Sequence, residues 1–263
     1  MTDILVTNDD GYKSSGFVPL IRELSKNYSV TAVAPNHGRS WIGKAITTKK
    51  KLKIKKIDYQ GVNIFLLNGT PADCVQVGLY DVVETRPKMV ISGINIGLNI
   101  GRARTLSSGT IGAAIEGSID GVRSIASSLS VPLQMKDNKT DFYHPKNYWI
   151  FENAAQITAK VASIILDKTF DGVDLFTLNI PFDATINTPL MITTLFNARY
   201  GRLFHKKGES FIHQTPPIEF KNMEENSDLR ALHDNKISLT PMNISFATQI
   251  SYTNLAHVFK EKW

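Results

Sequence analysis

The feature that most constrains the fold is an alternation of short apolar runs with segments of helical spacing. The first run, Ile4–Thr7, is rich in β-branched residues and ends in Asn-Asp-Asp-Gly, which is typical of a buried strand that runs into a turn. Residues 17–25 carry apolar side chains at helical spacing, and residues 28–34 form a second apolar run that Pro35 ends. A strand, a helix and a strand in this order predict a βαβ unit, whose ligand sites lie at the carboxyl ends of the strands.

The same alternation continues along the chain and predicts an α/β fold. We expect a Rossmann-like three-layer sandwich with a mostly parallel sheet, which forms a catalytic core over residues 1–187. Residues 188–263 are predicted to form a C-terminal β-rich and helical arm, with a β-hairpin and a final helix at 251–259, which is used in oligomerisation. The other predicted elements are strands at 47–57, 62–67, 89–92, 175–180, 190–196 and 236–239, helices at 72–83, 109–121 and 148–166, and a polar stretch at 221–228.

Composition narrows the choice of partners and compartment. Of the 263 residues, 42% are hydrophobic, which is ordinary for a globular protein. The net charge of +6 either favours anionic partners such as nucleotides and nucleic acid or reflects a basic surface without a specific partner. Cys74 is the only cysteine, which excludes an intrachain disulfide and a cysteine-rich metal site. Because we find no signal-peptide pattern and no apolar stretch long enough to span a membrane, we expect a soluble, cytoplasmic protein.

Two adjacent carboxylates, Asp9 and Asp10, follow the first predicted strand directly. Two acids in this position repel each other unless a cation or a proton lies between them, and their oxygen atoms suit a hard divalent metal. A helix N-cap followed by a turn aspartate explains the same residues without a metal. Taken alone, Asp-Asp-Gly supports both interpretations about equally.

Three further segments at predicted strand ends carry glycines together with hydroxyl or amide groups. Residues 36–44 include Ser40, residues 92–101 include Asn95, and residues 107–116 place hydroxyls and a glycine before a helix. That helix start would bind an anion through its free amides and its dipole, although the hydroxyls could instead cap their own helix. Because the segments converge on one sheet edge, the sequence favours metal-assisted hydrolysis of a phosphate ester, with a non-hydrolytic nucleotide- or RNA-binding protein as the alternative.

Several motifs follow one another in order along the chain. They are Ile-Leu-Val-Thr-Asn-Asp-Asp-Gly at 4–11, Val-Ala-Pro at 33–35 with Ser40, Asn-Gly-Thr-Pro-Ala-Asp-Cys-Val at 68–75, Ser-Gly-Ile-Asn at 92–95, Ser-Gly-Thr-Ile-Gly-Ala-Ala-Ile-Glu at 108–116, and Asp228 with Ile-Ser-Leu-Thr-Pro at 237–241. Together these motifs resemble the SurE family of nucleotide phosphatases. The resemblance implies a Rossmann-like core with a swapped C-terminal segment, assembled as a homodimer or homotetramer. It also implies a 5′-nucleotidase that hydrolyses nucleoside 5′- and 3′-monophosphates and sometimes short polyphosphate, with no membrane and no stable nucleic-acid complex.

The resemblance also assigns site residues, motif by motif. It implies one divalent metal ion per subunit, Mg²⁺ or Mn²⁺, and an all-oxygen ligand set agrees with the preference of these hard cations. Asp9 and Asp10 would be catalytic as well as metal-binding, and the sequence leaves open whether Asp9 or a metal-activated water is the nucleophile. The implied metal ligands are Asp9, Asp10, Ser40 and Asn95, and the implied substrate-binding residues are Asn8, Arg39, Asn95, Ser108, Gly109 and Thr110.

The sequence departs from the family pattern near this site. Many relatives carry acidic residues soon after the glycine-rich loop, whereas this chain has Arg102 and Arg104, which would bind a second phosphate or a base, or else face solvent. Trp41 stands where glycine commonly follows the loop serine, and it could stack on a nucleobase or pack on a neighbouring subunit. His37 could assist proton transfer to the leaving group or lie on the surface, and Asp228 is expected to support the C-terminal arm.

Overall fold

Apolar side chains alternate between the two faces of the central strands, so the sheet is covered on both sides. The strand β1 (Ile4–Thr7) lies near the middle of the sheet and is fully buried. Ile4 and Val6 belong to the core on one face, and Leu5 belongs to the core on the other. The computed structural model describes residues 2–131, 148–216, 218–219 and 222–245.

The strands that follow β1 are β2 (Val30–Pro35), β3 (Ile54–Tyr59), β4 (Val62–Leu67), β5 (Met89–Ile96), β6 (Arg123–Leu129), β7 (Leu175–Ile180), β8 (Leu190–Ile192), β9 (Phe204–Lys207), β10 (Ser210–His213) and β11 (Ile237–Met242). Nine of the eleven described strands, β1 included, form one sheet in the order β3-β4-β2-β1-β5-β6-β7-β11-β8. The six strands from β4 to β7 in this order are parallel, so β1, β2 and β5 end at the same edge. The predicted α/β fold class with a mostly parallel sheet is confirmed.

The helices are α1 (Phe17–Leu24), α2 (Pro71–Val77) with a π-helical turn at Gly78–Val82, α3 (Gly101–Ser107), α4 (Gly109–Ile119), α5 (Tyr148–Leu166) and α6 (Asp228–His233). The pair α1 and α5 packs on one face of the sheet, and the pair α2 and α4 packs on the other. The helix α2 starts with a capping box, in which Thr70 Oγ1 accepts from the Asp73 amide and Asp73 Oδ2 accepts from the Thr70 amide. Asp73 therefore has the structural role of a helix cap.

The helix α3 is an element that the sequence pattern does not predict. No side chain near its start caps it, and the Gly101 amide donates instead to Asp228 Oδ2, 2.7 Å away and 127 residues later in the chain. Helix starts are recognised in a sequence by a local cap, and this one is supplied from a distance. The glycine-rich segment after β5 therefore turns into a helix where the sequence predicts a continuing loop.

Several strands differ from their predicted bounds. The strand β8, expected at 190–196, ends at Ile192, and β11, expected at 236–239, continues to Met242. The strand β5 was expected to end at Ser92 but continues to Ile96, with an irregular register between Ser92 and Asn95 that places the Asn95 motif inside the strand. The lysine-rich strand β3 begins at Ile54, later than expected, because it pairs only with β4 and lies at the sheet edge. Its lysines are exposed, as expected for a solvated strand face.

The C-terminal part of the chain is divided between the main sheet and a separate hairpin. The strand β11 pairs antiparallel with β7, and β8 pairs parallel with β11, so both extend the main sheet. The strands β9 and β10 pair only with each other. The helix α6 follows Ser227, whose hydroxyl accepts from the Arg230 amide, and begins at the last residue of the stretch predicted only as polar. The predicted final helix at 251–259 lies outside the described residues.

Within the part of the chain that the structure describes, no helix has both the length and the apolar character that crossing a membrane requires.

Candidate active site

A cleft of about 630 Å³ opens at the sheet edge where β1, β2 and β5 end. Five of the predicted site residues line it: Asp9, Asp10, Ser40, Asn95 and Ser108. They come from three strand ends and from the start of α4, which the parallel topology brings to one edge. The structure therefore brings together the carboxylate pair, a hydroxyl, an amide and a helix N-terminus that the sequence predicts as neighbours.

Asp9 is held in the wall of this cleft by the start of α4. Its side chain is buried, and Asp9 Oδ1 accepts a hydrogen bond of 2.6 Å from the Thr110 hydroxyl. Burial and the neighbouring Asp10 carboxylate raise the pKa of Asp9 to about 7, against the lowering effect of the Thr110 hydroxyl. A cation beside the pair would remove this penalty on the charged form.

Asp10 is held by a different element, the end of β5. Asp10 Oδ2 accepts from the Ile96 amide at 3.0 Å, and burial raises the pKa of Asp10 as it does that of Asp9. Asn95, one residue before this amide, donates its Nδ2 to the Gly97 carbonyl at 2.7 Å. Because this bond engages the nitrogen of the Asn95 amide, its Oδ1 is the atom left to act as a ligand.

The turn after β1 is closed by Asn8, which lies behind the cleft. Asn8 is fully buried, its Nδ2 donates to the Gly11 carbonyl at 2.9 Å, and its Oδ1 accepts from the Gly11 amide at 3.2 Å. Gly11 has a φ of +87°, a left-handed conformation that favours glycine. The Arg39 amide donates to the Asp9 carbonyl at 2.7 Å, which joins the following loop to this turn.

The start of α4 approaches the carboxylate pair closely because it begins with glycine. A Cβ on Gly109 would lie 2.9 Å from the Asp9 Cβ and 3.0 Å from the Ile42 side chain, so a larger residue cannot occupy this position without displacement. Ser108 Oγ accepts from the Ile111 amide at 3.2 Å, which is the helix-capping role that the sequence left open. The amides of the first turn and the positive end of the helix dipole thus face the cleft.

The predicted substrate contacts divide into two groups. Ser108 and Asn95 line the cleft, whereas Asn8, Arg39, Gly109 and Thr110 are not among its walls. The side chains of Asn8 and Thr110 are fully buried and bond to other parts of the protein. Direct substrate contacts by Asn8, Arg39, Gly109 and Thr110 therefore stay a prediction, and the Thr110 hydroxyl already bonds to Asp9.

Sequence analysis missed an ion pair that fixes the loop at 36–44 to α4. Lys44 Nζ pairs with Glu116 Oε2, and Gln76 Nε2 donates to Glu116 Oε1 at 2.6 Å. The Gly43 amide also donates to the Ser107 carbonyl at 2.9 Å. Because Glu116 is buried on the helix whose start faces the cleft, these contacts set the position of Ser40 relative to Ser108.

The C-terminal segment also contributes to the cleft, which the sequence did not predict. Thr215 and Pro216 line it, next to Arg104, whose Nη2 donates to the Pro216 carbonyl at 2.9 Å. Arg104 thus lies near the mouth as expected, whereas Arg102 is exposed and His37 lies outside the cleft walls. Among the described residues, no group of three or more His, Cys, Asp and Glu side chains could hold a metal ion. A cation here therefore requires hydroxyl or amide ligands in addition to Asp9 and Asp10.

These features define an α/β protein in which paired carboxylates at the ends of parallel strands lie beside a helix N-terminus. A family model described as "Survival protein SurE" matches residues 4–202 of the chain. The chain belongs to this family, as its motifs predict.

Curated relatives support the same assignment over almost the whole length. The chain is 33% identical to a "5′-nucleotidase SurE" of Methanocella arvoryzae, with 99% of this chain and 98% of the relative covered. Proteins of the same name from Methanococcus vannielii (36% identity, 99% of both chains covered) and Moorella thermoacetica (34% identity, 99% and 97% covered) are similarly close. The crystal structure titled as the Sure protein from Aquifex aeolicus superposes with a TM-score of 0.78 at 26% identity and covers 99% of this chain and 100% of that one.

Proposed function

We propose that this protein is a divalent-metal-dependent 5′-nucleotidase, a phosphomonoesterase that acts on nucleoside monophosphates. The observation that carries the proposal is the pair of a buried Asp9 and a half-buried Asp10, which lies beside the N-terminus of α4 in one cleft. Without a cation this pair would repel a phosphate, and with one it would bind it. The names of the curated relatives support the same activity.

The residues at the cleft fit a hard divalent cation. Burial raises the pKa values of both carboxylates, and that of Asp9 is raised further by Asp10, while Ser40 and the Asn95 carbonyl add neutral oxygen atoms. Asp9, Asp10, Ser40 and Asn95 would hold the ion, one per subunit, and an all-oxygen set suits Mg²⁺ or Mn²⁺. When bound, such an ion polarises a phosphoryl oxygen and lowers the pKa of a water molecule.

The residues of the chain itself have two tasks in this proposal. The first turn of α4 binds the phosphate through its amides, close to Asp9 because Gly109 has no side chain. The Thr110 hydroxyl and the Ile96 amide orient Asp9 and Asp10 through hydrogen bonds of 2.6 and 3.0 Å. Both carboxylates are thus fixed before substrate binds, which lowers the reorganisation that the reaction requires.

A homodimer or homotetramer is part of the same proposal. The hairpin formed by β9 and β10 pairs with no other strand among the described residues, and it exposes three large apolar side chains, Phe204, Phe211 and Ile212. The register places Phe204 and Phe211 on one face of the hairpin and Ile212 on the other, and large exposed apolar side chains of this kind support a protein interface. Light scattering coupled to gel filtration would give the subunit number, and a monomer at all concentrations would contradict this part.

The function is tested by phosphate release from a panel of nucleoside 5′- and 3′-monophosphates and short polyphosphate, with Mg²⁺, Mn²⁺ or EDTA. We expect release with metal, none in EDTA, and loss of release in Asp9→Asn. Asp81→Asn, which changes an exposed carboxylate far from the cleft, is the matched control and should retain activity. Calorimetric titration with Mn²⁺ measures metal binding independently of turnover. A folded Asp9→Asn variant with full activity, or wild-type activity in EDTA, would contradict the proposal.

A further inference from the structure

Trp41 lies at the cleft in a backbone conformation that a tryptophan rarely adopts. Its φ is +60°, in the left-handed region where a side chain costs free energy and glycine does not. Burial in the core does not offset this cost, because the side chain is 40% exposed. Strained residues that the surrounding structure maintains cluster at functional sites, so the position of this ring requires a functional explanation.

The indole ring lies beside the residues proposed to bind metal. Trp41 follows Ser40 directly and lines the same cleft as Asp9 and Asp10. The cleft is lined by polar groups and by aliphatic side chains such as Leu98 and Val131, and Trp41 is the one large aromatic ring among the described lining residues. A phosphate or a metal ion does not stack on an aromatic ring, whereas the planar ring of a nucleobase does.

Neighbouring rings support the indole and restrict its movement. The Tyr200 ring centroid lies 5.4 Å from that of Trp41, and the His213 ring contacts Trp41 edge-on at 4.9 Å. Tyr200 is itself fixed, because its hydroxyl bonds to the Ala103 carbonyl and to Ser107 Oγ. A supported but partly exposed ring loses little conformational entropy when a ligand stacks on it.

The backbone that carries Trp41 is joined rigidly to the proposed phosphate site. The Gly43 amide donates to the Ser107 carbonyl at 2.9 Å, and Lys44 pairs with Glu116 on α4. These contacts join the loop that carries Trp41 to the start of α4. A ligand with a phosphate at one end and a flat ring at the other can contact both at once.

We propose that Trp41 stacks on the nucleobase of the substrate and determines specificity, so that the enzyme prefers nucleotides to phosphate esters without a base. This inference rests on the proposed nucleotidase function and adds a base-binding residue to it. Stacking free energy grows with the area of the base, so purine nucleotides are bound more tightly than pyrimidine nucleotides.

The test compares AMP, UMP and ribose 5-phosphate as substrates of the wild type, Trp41→Phe and Trp41→Ala. Loss of one stacked base changes binding by roughly 5- to 150-fold. We therefore expect Trp41→Ala to lower the ratio of kcat/KM for AMP to that for ribose 5-phosphate by at least about fivefold, through KM, and Trp41→Phe to keep most of it. Trp149→Phe is the matched control, because Trp149 is 43% exposed but lies on α5, away from the cleft.

Each other outcome overturns the inference. A wild type that does not prefer AMP to ribose 5-phosphate, or an unchanged ratio in Trp41→Ala, excludes stacking on the base. An equal loss for both substrates assigns Trp41 to anchoring the β9–β10 hairpin through His213. If no substrate is hydrolysed, the proposed function fails instead, and calorimetric Kd values for the same three ligands and variants still decide whether Trp41 recognises a base.

Discussion

Replacement of Asp228 by alanine tests how the C-terminal segment holds the cleft in shape. Asp228 is fully buried and accepts from three backbone amides, those of Gly101 at 2.7 Å, Leu229 at 2.8 Å and Phe196 at 3.0 Å. Each buried donor left without an acceptor costs about 1–3 kcal/mol. Burial raises the pKa of Asp228, which shows that its buried charge carries a desolvation penalty, and alanine removes this penalty. We therefore expect the free energy of unfolding to fall by about 3 kcal/mol, near the lower limit of the sum for three unpaired donors.

Urea denaturation of Asp228→Ala and the wild type measures this loss directly. Asp234→Ala is the control, because Asp234 lies at the other end of α6 on the surface, and its loss should leave the midpoint nearly unchanged. The midpoint of Asp228→Asn should lie between those of Asp228→Ala and the wild type. Its side-chain amide keeps one oxygen acceptor but places an NH₂ donor against a backbone N–H donor. An Asp228→Ala variant within about 1 kcal/mol of the wild type would show that α3 does not depend on this cap.

Two further substitutions test the contacts that position the site. Thr110→Val removes the hydroxyl that donates to Asp9, and we expect kcat to fall about 10- to 100-fold, whereas Thr110→Ser should retain most of the activity in steady-state assays. Lys44→Met leaves the buried Glu116 carboxylate without its cation and should cost about 2–3 kcal/mol in urea denaturation. Equal kcat values for the Val and Ser variants, or an unchanged midpoint for Lys44→Met, would contradict these roles.

Lys26→Met is the matched control for the lysine substitution. Lys26 pairs with Glu23 on the surface, where the lysine side chain is 62% exposed, so its loss should scarcely change stability. The comparison separates the effect of burial from the effect of removing any lysine.

The parts of the fold that follow from local sequence were predictable. The strand β1 and its turn were predictable because a β-branched run ends in Asn-Asp-Asp-Gly, and α4 because its hydroxyl cap and apolar spacing are contiguous. The helix α3 was not, because its start depends on Asp228, which is distant in sequence. Long-range contacts that replace a local cap leave no periodic signal.

The same distinction applies to the candidate site. Asp9, Asp10, Ser40 and Asn95 were predictable as neighbours because parallel strands end at one edge. The inward direction of Thr110 was not, because the hydroxyl of a helix cap motif can point toward solvent, its own helix or a neighbouring strand. Nor could the sequence reveal that the C-terminal segment lines the cleft, since the position of this segment depends on tertiary packing.

The carboxylate pair itself predicts a conflict between stability and activity. Asp9 and Asp10 are neighbours in a buried wall, so in the absence of metal their repulsion and desolvation destabilise the fold. A cation that binds only the folded protein reverses this effect, by about 2.7 kcal/mol at a concentration one hundred times its Kd.

Asp9→Asn should therefore stabilise the metal-free protein, by about 1 kcal/mol, and abolish the further stabilisation by metal, because asparagine still accepts from Thr110 but carries no charge. Thermal unfolding of both proteins in EDTA and in Mn²⁺ measures the four midpoints. In EDTA the variant should unfold at the higher temperature, and in Mn²⁺ the wild type should. Equal stabilisation of both proteins by Mn²⁺ would show that the Asp9 carboxylate does not bind the ion. The helix N-terminus of α4 would then have to bind phosphate without a metal ion held by Asp9.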